Sequence, residues 1–174
     1  GAVYNFTGPQ GFGIANMADG LFAIRKLVYE EKKVSMEEFK EALAWNYDKG
    51  LDAQSAGDMT EMIMKAMQKA GKEADASTAA GLLKTFIGMK PGEQKTQRFK
   101  EIHDMIDEVP KFGNDIPEID YFAREVAYTY SKPLQNYSNP RGGRFQAGLY
   151  PVSANVPLGG QTGATPDGRL SLIH

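Results

Sequence analysis

The sequence contains no cysteine, two histidines and one tryptophan in 174 residues. The missing thiol excludes disulfides, cysteine-ligated zinc and any sulfur-based step within this chain. No charge sign dominates: 20 basic against 22 acidic side chains leave a formal net charge of -2, which argues against a general polyanion binder such as a nucleic-acid protein. Long apolar runs are missing too. None reaches the roughly 18 residues a transmembrane helix requires, and the opening GAVYNFTGPQGF has no basic stretch leading into an apolar one, as a secretory signal would. A chain that neither crosses a membrane nor carries a leader is expected in the cytoplasm. What is present suffices for a core: 41% of residues are hydrophobic and 24% charged, so wholesale disorder is excluded. The length suits one domain, or one and a fraction, at about 100–200 residues per domain.

Three zones follow one another. Residues 1–16 crowd Gly8, Pro9, Gly11 and Gly13 together, which marks irregular backbone. Residues 17–137 read as helices. The first carries an apolar stripe of Met17, Leu21, Ile24 and Val28. Ser35 with Glu38 is a capping-box signature opening a second, with Met36, Phe39, Leu43 and Tyr47 on its stripe and Gly50 as its stop. A third carries Met59, Ile63, Ala66 and Ala70, its methionines reading as adaptable core filling. A short fourth covers 79–87. A fifth carries Phe99, Ile102, Ile106 and Val109 up to Pro110, and a sixth Ile119, Phe122, Val126 and Tyr130 up to Pro133. Lys69–Ala76 reads as a solvated turn. Residues 138–174 change character. Phe145, Ala147 and Leu149 alternate with Arg144, Gln146 and Gly148, the pattern of a strand. Pro151 and Pro157 cut it short, and 159–169 (GGQTGATPDGR) must be a loop.

Spacing alone singles out few chemical groups. Gly11-Phe12-Gly13 precedes a helix, where free N–H groups can cradle a phosphate. The third glycine of a dinucleotide motif and the Lys-Ser/Thr of a phosphate loop are both missing, so tight packing of a strand-to-helix turn is the reading. His103 lies at the edge of an apolar stripe with no second ligand nearby and reads as a satisfied boundary histidine. His174 is terminal. Asp115 is expected to cap the sixth helix, with Glu118, Asp120 and Glu125 on its polar face. Asp167-Gly168 is a turn dipeptide first and a catalytic carboxylate second. Arg144 stands among apolar neighbours on a strand and needs an anionic or carbonyl partner, either a structural ion pair or a bound anion.

Three segments go further. GPQGFGIANMADGLFAIRKLVYEEK (8–32), PKFGNDIPEID (110–120) and GLYPVSANVPLGGQTGATPDGR (148–169) resemble, in order, the glycine-rich strand-to-helix segment, the F-G-N-D element and the T-P-D-G-R segment of glycyl radical enzymes. These form the pyruvate formate-lyase-like superfamily, and the resemblance is to the C-terminal third. No family motif matches the stretch between about 50 and 95. The resemblance implies an α/β fold: a helix-rich fragment of a ten-stranded barrel, with a few strands and long loops. Residues 1–174 would be part of one domain. Its pieces would be a glycine-rich start at 1–16, a helical region at 17–137, and a strand and TPDGR loop at 138–174.

The resemblance also implies chemistry. Enzymes of this kind hold a radical on a backbone glycine, installed by an iron–sulfur, S-adenosylmethionine-dependent activase, and relay it through a cysteine to substrate. The cysteine has no counterpart here, and the glycine loop is expected beyond the C-terminus. The chain by itself is therefore expected to be inert, with no catalytic residue, metal or bound cofactor. The SANVPLGGQTGATPDGR version resembles the eliminase branch, which removes a neighbouring leaving group from a small hydroxylated substrate. In overall look it is closest to isethionate sulfite-lyase. Arg144, Gln146 and Tyr150 are the expected substrate-binding groups, an arginine fork suiting a sulfonate. Expected partners are the rest of the barrel, the activase, further copies of the enzyme and a small-molecule substrate. The alternatives are a non-catalytic helical interaction module and a fragment of a pyruvate formate-lyase.

Overall fold

The computed structural model describes residues 6–47, 49, 50, 53–69, 75–86, 89, 91–150 and 162–169. Among these residues, six α-helices lie between two short strands: β1 (Gln10–Gly11), α1 (Ile14–Ile24), α2 (Met36–Ala44), α3 (Ala53–Lys69), α4 (Ala76–Phe86), α5 (Glu93–Glu108), α6 (Pro117–Leu134) and β2 (Gly148–Leu149). α1 continues into a π-helical segment, Arg25–Glu30. The body is helix-rich, as expected, and its sheet is small.

Local chemistry accounts for most helix ends. Ser35 Oγ accepts the Glu38 N–H at 3.1 Å, and Glu38 Oε2 accepts the Ser35 N–H at 3.0 Å, so the capping box forms reciprocally. Asp75 starts α4 by accepting the Thr78 N–H and hydroxyl, both at 2.8 Å. α6 starts without a side-chain cap. Ile116 occupies the cap position, Pro117 presets the first turn, and Glu118 and Asp120 meet the positive end of the helix dipole. Asp115, expected as the cap, instead sits one residue earlier with φ 56°. α2 ends at Ala44, before the expected Gly50, because Asn46 and Tyr47 turn into left-handed backbone with φ 49° and 54°.

The core forms where α1, α2, α5 and α6 meet. Phe22, Phe39, Tyr47, Ile102, Ile106 and Ile119 are its largest fully buried side chains save Asn46. α6 packs along α1, and α2 against α5. The α5 stripe of Phe99, Ile102, Ile106 and Val109 is buried throughout. The α1 stripe is offset from its expected place. Ala18, Phe22 and Ala23 face the core, while Met17 and Leu21 remain 56% and 43% exposed. α1 is apolar on two sides, and only one of them is covered within the described residues. The methionines of α3 also depart from expectation. α3 pairs with α4, which buries nothing, and Met62 is 66% exposed, so these side chains cover a two-helix hairpin and stay outside the core. Residues 70–74 of the expected solvated turn lie outside the described residues, as do Pro151, Pro157 and 159–161 of the expected loop.

The two strands run parallel, Gln10 opposite Gly148 and Gly11 opposite Leu149. Pairing reaches back further: Thr7 N–H donates to the Arg144 carbonyl at 3.1 Å, and Gln146 N–H to the Thr7 carbonyl at 2.9 Å. Parallel strands need a crossover connection, and here it is the whole helical body. Asn139 prepares the entry to the second strand. Its Oδ1 accepts the Arg141 and Gly143 N–H groups, each at 2.9 Å, and its Nδ2 donates to Thr7 Oγ1 at 3.0 Å.

Candidate functional site

The TPDGR residues, 165–169, close on themselves through Thr165 N–H to the Arg169 carbonyl at 2.9 Å and Gly168 N–H to the Thr165 carbonyl at 3.1 Å. They are then held from three sides. From the turn after α2, Asn46 Oδ1 accepts the Ala164 N–H at 2.6 Å, and Tyr47 Oη donates to the Thr165 carbonyl at 3.0 Å. From α5, His103 Nε2 lies 2.7 Å from the Gly168 carbonyl. A carbonyl only accepts, so this nitrogen carries a proton. From α1, Asn16 Nδ2 donates to Asp167 Oδ2 at 2.7 Å. Thr165 Oγ1 donates to the other carboxylate oxygen of Asp167. Gly20 of α1 faces Pro166 closely enough that a Cβ there would stand 3.3 Å from the proline Cβ.

The same junction takes in the FGND element. Asp19 Oδ1 accepts the Phe112 N–H at 2.8 Å. Burial raises the Asp19 carboxyl above its ordinary range, outweighing the Phe112 bond and the charge of Lys111. Burial likewise lowers the Lys111 ammonium, against the pull of Asp19, Asp107 and Asp167. Lys111 Nζ donates to the Ile106 carbonyl at 2.5 Å. Burial, with Asp167 and Asp107 nearby, holds the Tyr47 phenol well above its usual value, so it remains a neutral donor. The three sequence segments singled out above thus meet in space around Asp19, Lys111 and Asp167.

His103 is a satisfied boundary histidine as expected, its ring 4.8 Å from that of Tyr47 and its Nδ1 3.6 Å from Asp107 Oδ2. Asp167-Gly168 is a turn, also as expected. Gly11 packs tightly against Tyr130: a Cβ on it would lie 2.8 Å from the ring, which explains the glycine without a phosphate.

Arg144, Gln146 and Tyr150 lie beside β2 and not within it: Arg144 and Gln146 precede it, with the Arg144 carbonyl and the Gln146 N–H both bonded to Thr7, and Tyr150 follows it. Arg144 and Gln146 are exposed, and Tyr150 is 54% exposed with its ring lying over Gly148. Arg144 has no ion-pair partner among the described residues. Phe145 is half-buried, and Leu149 is 51% exposed. Tyr150 and Leu149 line a groove of about 740 Å3 whose other walls include Asn16, Phe112, Asp120 and Arg124. Among the described residues, no group of three or more His, Cys, Asp or Glu is placed to hold a metal ion. Asn16, Asn46, Tyr47 and Asp19 were not foreseen. Their partners lie up to 151 residues away, and no local pattern announces such pairings.

Comparison with known proteins gives this arrangement its relatives. Residues 1–159 match the family described as pyruvate formate lyase-like. The chain is 31% identical over 97% of its length to the probable dehydratase YbiW of Escherichia coli (strain K12), of which it spans 16%. It is 26% identical over 91% of its length to isethionate sulfite-lyase of Oleidesulfovibrio alaskensis, of which it spans 13%. A structure describing 1,2-propanediol dehydration in Roseburia inulinivorans superposes with a TM-score of 0.87 and 58% identity, covering 98% of this chain and 20% of that one. The chain therefore spans between about an eighth and a fifth of the proteins it matches.

Proposed function

The chain belongs to the pyruvate formate lyase-like family, and from that premise we propose that it forms one wall of a glycyl radical dehydratase acting on a small vicinal diol. The observation that carries the substrate class is the 58% identity, over nearly the whole chain, to the structure describing propanediol dehydration, against 26% to isethionate sulfite-lyase. The absence of an ion-pair partner for Arg144 among the described residues favours a second reading, an arginine that takes an anionic group such as a sulfonate.

No cysteine stands in the chain. The residues present therefore do not fit the thiol relay of the family's chemistry, and no hydrogen-transfer step falls to them. Their part is binding and orientation. Loss of a hydroxyl from a diol builds negative charge on the departing oxygen. A hydrogen-bond donor fixed beside that oxygen lowers the barrier. Gln146 and Tyr150 carry such donors on either side of β2, and Arg144 adds a cation just before it. The uncovered side of α1 and the two-strand parallel sheet support packing against further polypeptide, since parallel sheets are normally buried on both faces. On this reading the partners are the remaining barrel, an activase and further copies of the enzyme, and residues 1–174 are part of one domain. A cytoplasmic site of action is part of this proposal; among the described residues no helix is long and apolar enough to cross a membrane.

The test uses the complete polypeptide carrying this segment, activated without oxygen and offered 1,2-propanediol, glycerol and isethionate. The expected product is the aldehyde from 1,2-propanediol plus water. Sulfite release from isethionate without diol turnover would overturn the diol reading in favour of the second. Arg144→Ala is expected to lower turnover at least about tenfold, or ~1.4 kcal/mol. Unchanged kinetics would remove Arg144 from the site.

A further inference from the structure

We propose that Asn16 and His103 are positioning residues of this reaction, acting through the 164–169 turn on the groove that Tyr150 lines. The proposal rests on the diol-dehydratase reading given above. Its starting point is a redundancy. The turn closes itself with two backbone hydrogen bonds, Thr165 N–H to Arg169 and Gly168 N–H to Thr165. The four bonds from Asn16, Asn46, Tyr47 and His103 are therefore not needed to make the turn. What they add is its placement relative to α1, α5 and the 45–47 turn. Each is directional and comes from a different angle, so together they leave the turn little freedom to shift.

Asn16 connects that placement to the groove. Its amide is committed to Asp167 at 2.7 Å, and Asn16 is also one of the residues lining the groove with Leu149 and Tyr150. Phe112, another wall residue, is tied through its N–H to Asp19, three residues along α1. A shift of the turn would thus release the Asn16 amide into the groove and change which polar groups face a ligand beside Tyr150. His103 holds the next residue of the turn from the α5 side. Its Nε2–H donates to the Gly168 carbonyl, and its ring is wedged against Tyr47, itself fully buried and bonded to Thr165. The donor is present in neutral and protonated imidazole alike, so glutamine, which carries an N–H at comparable reach, can replace it.

Placement of a groove wall governs discrimination between substrates that differ by one group. The experiment therefore measures, in the complete activated enzyme, the ratio of kcat/KM for 1,2-propanediol over glycerol. The ratio is independent of the fraction of enzyme that is folded or radical-loaded, which a merely structural role would change. Asn16→Ala and His103→Leu are each expected to move the ratio by at least about threefold, and His103→Gln to bring it back towards wild type. Asn16 is exposed, so its truncation leaves the fold intact even if His103→Leu does not. An unchanged ratio in Asn16→Ala, or a loss of active enzyme at constant ratio in both variants, would overturn the proposal. If wild-type enzyme turns over neither diol, the diol reading fails instead. The ratio is then read on isethionate and the nearest hydroxylated sulfonate it accepts, with the same criteria.

Discussion

Replacing Tyr47 with phenylalanine isolates one bond of the junction. The ring stays, so its packing in the core and against His103 at 4.8 Å is retained. The hydroxyl that donates to the Thr165 carbonyl at 3.0 Å is lost. That carbonyl is left with Gly168 N–H as its donor inside the turn. Since the carbonyl keeps a donor, the loss is that of one ordinary hydrogen bond, about 0.5–1.5 kcal/mol. The cost falls on local opening of the turn, because the rest of the core is untouched. Amide hydrogen exchange in the complete protein reads it directly. The bonded amides of Ala164, Thr165 and Gly168 are expected to exchange about 2- to 12-fold faster, at ~1.4 kcal/mol per decade, while those of α5 keep their protection. Burial keeps the phenol protonated well beyond neutrality. The difference between the two proteins should therefore hold constant over roughly pH 6 to 9, once intrinsic exchange is corrected. Unchanged protection at these three amides, or an equal loss throughout the chain, would refute the idea that the turn is fastened from outside.

Three further perturbations probe other parts of the structure. Ser35→Ala removes half of the capping box and should cost about 1 kcal/mol in denaturant unfolding at neutral pH. The Glu38 carboxyl is held low, first by the Ser35 backbone N–H, so its contribution is present above its unfolded value and lost as pH falls through the folded one; a cost that is the same in acid would exclude the coupled box. Asp19→Asn keeps an acceptor for Phe112 but cannot ionise. The wild-type carboxyl is raised from 3.8 by burial, so its stabilising contribution is full below that value and disappears as pH rises through the folded one. The variant should therefore gain stability relative to wild type across this acid window, and a flat difference between the two unfolding curves would exclude the buried carboxylate as its cause. Tyr130 Oη is buried with no hydrogen-bond partner among the described residues. If further polypeptide supplies one, Tyr130→Phe lowers the melting temperature of the complete enzyme; an unchanged or higher value would leave that surface without a polar partner.

Legibility in the sequence followed distance along the chain. The α5 stripe was readable because one face of that helix is apolar and it is the face that is buried. The Ser35–Glu38 box was readable because both partners lie within one helical turn. α1 misled because MADGLFAI is apolar on two sides, and periodicity cannot say which side meets the core. Asp115 misled because Ile116, directly before Pro117, takes the cap position, which leaves the carboxylate one residue too early to cap the first turn. Alternation at 144–149 announced extended backbone, of which Gly148–Leu149 is regular strand, but the parallel partner, Gln10–Gly11, lies far back in the chain and has no local signature. The junction around 164–169 was read only as a turn. Its side-chain contacts from α1, α5 and the 45–47 turn arise once the helices have packed, and they answer to tertiary geometry alone.

The misread face of α1 is informative in its own right. Met17 and Leu21 do not stand alone on it. Together with Phe12, Phe122, Val126 and Tyr130 they line one groove of about 700 Å3, and β1 contributes Gln10 and Gly11 to the same groove. Scattered apolar exposure is ordinary on a protein surface, but a contiguous patch bordered by a strand marks an interaction surface. The partnerless Tyr130 hydroxyl belongs to the same patch and carries a different kind of evidence, since burying a hydroxyl unpaired costs free energy. Apolar area, a strand and an unmet donor therefore coincide at this groove between α1 and α6. The 164–169 turn is fastened internally, whereas this groove is suited to receive more chain. That division explains how a segment spanning about a fifth of the propanediol-dehydration structure retains a closed helical core while leaving one apolar face uncovered.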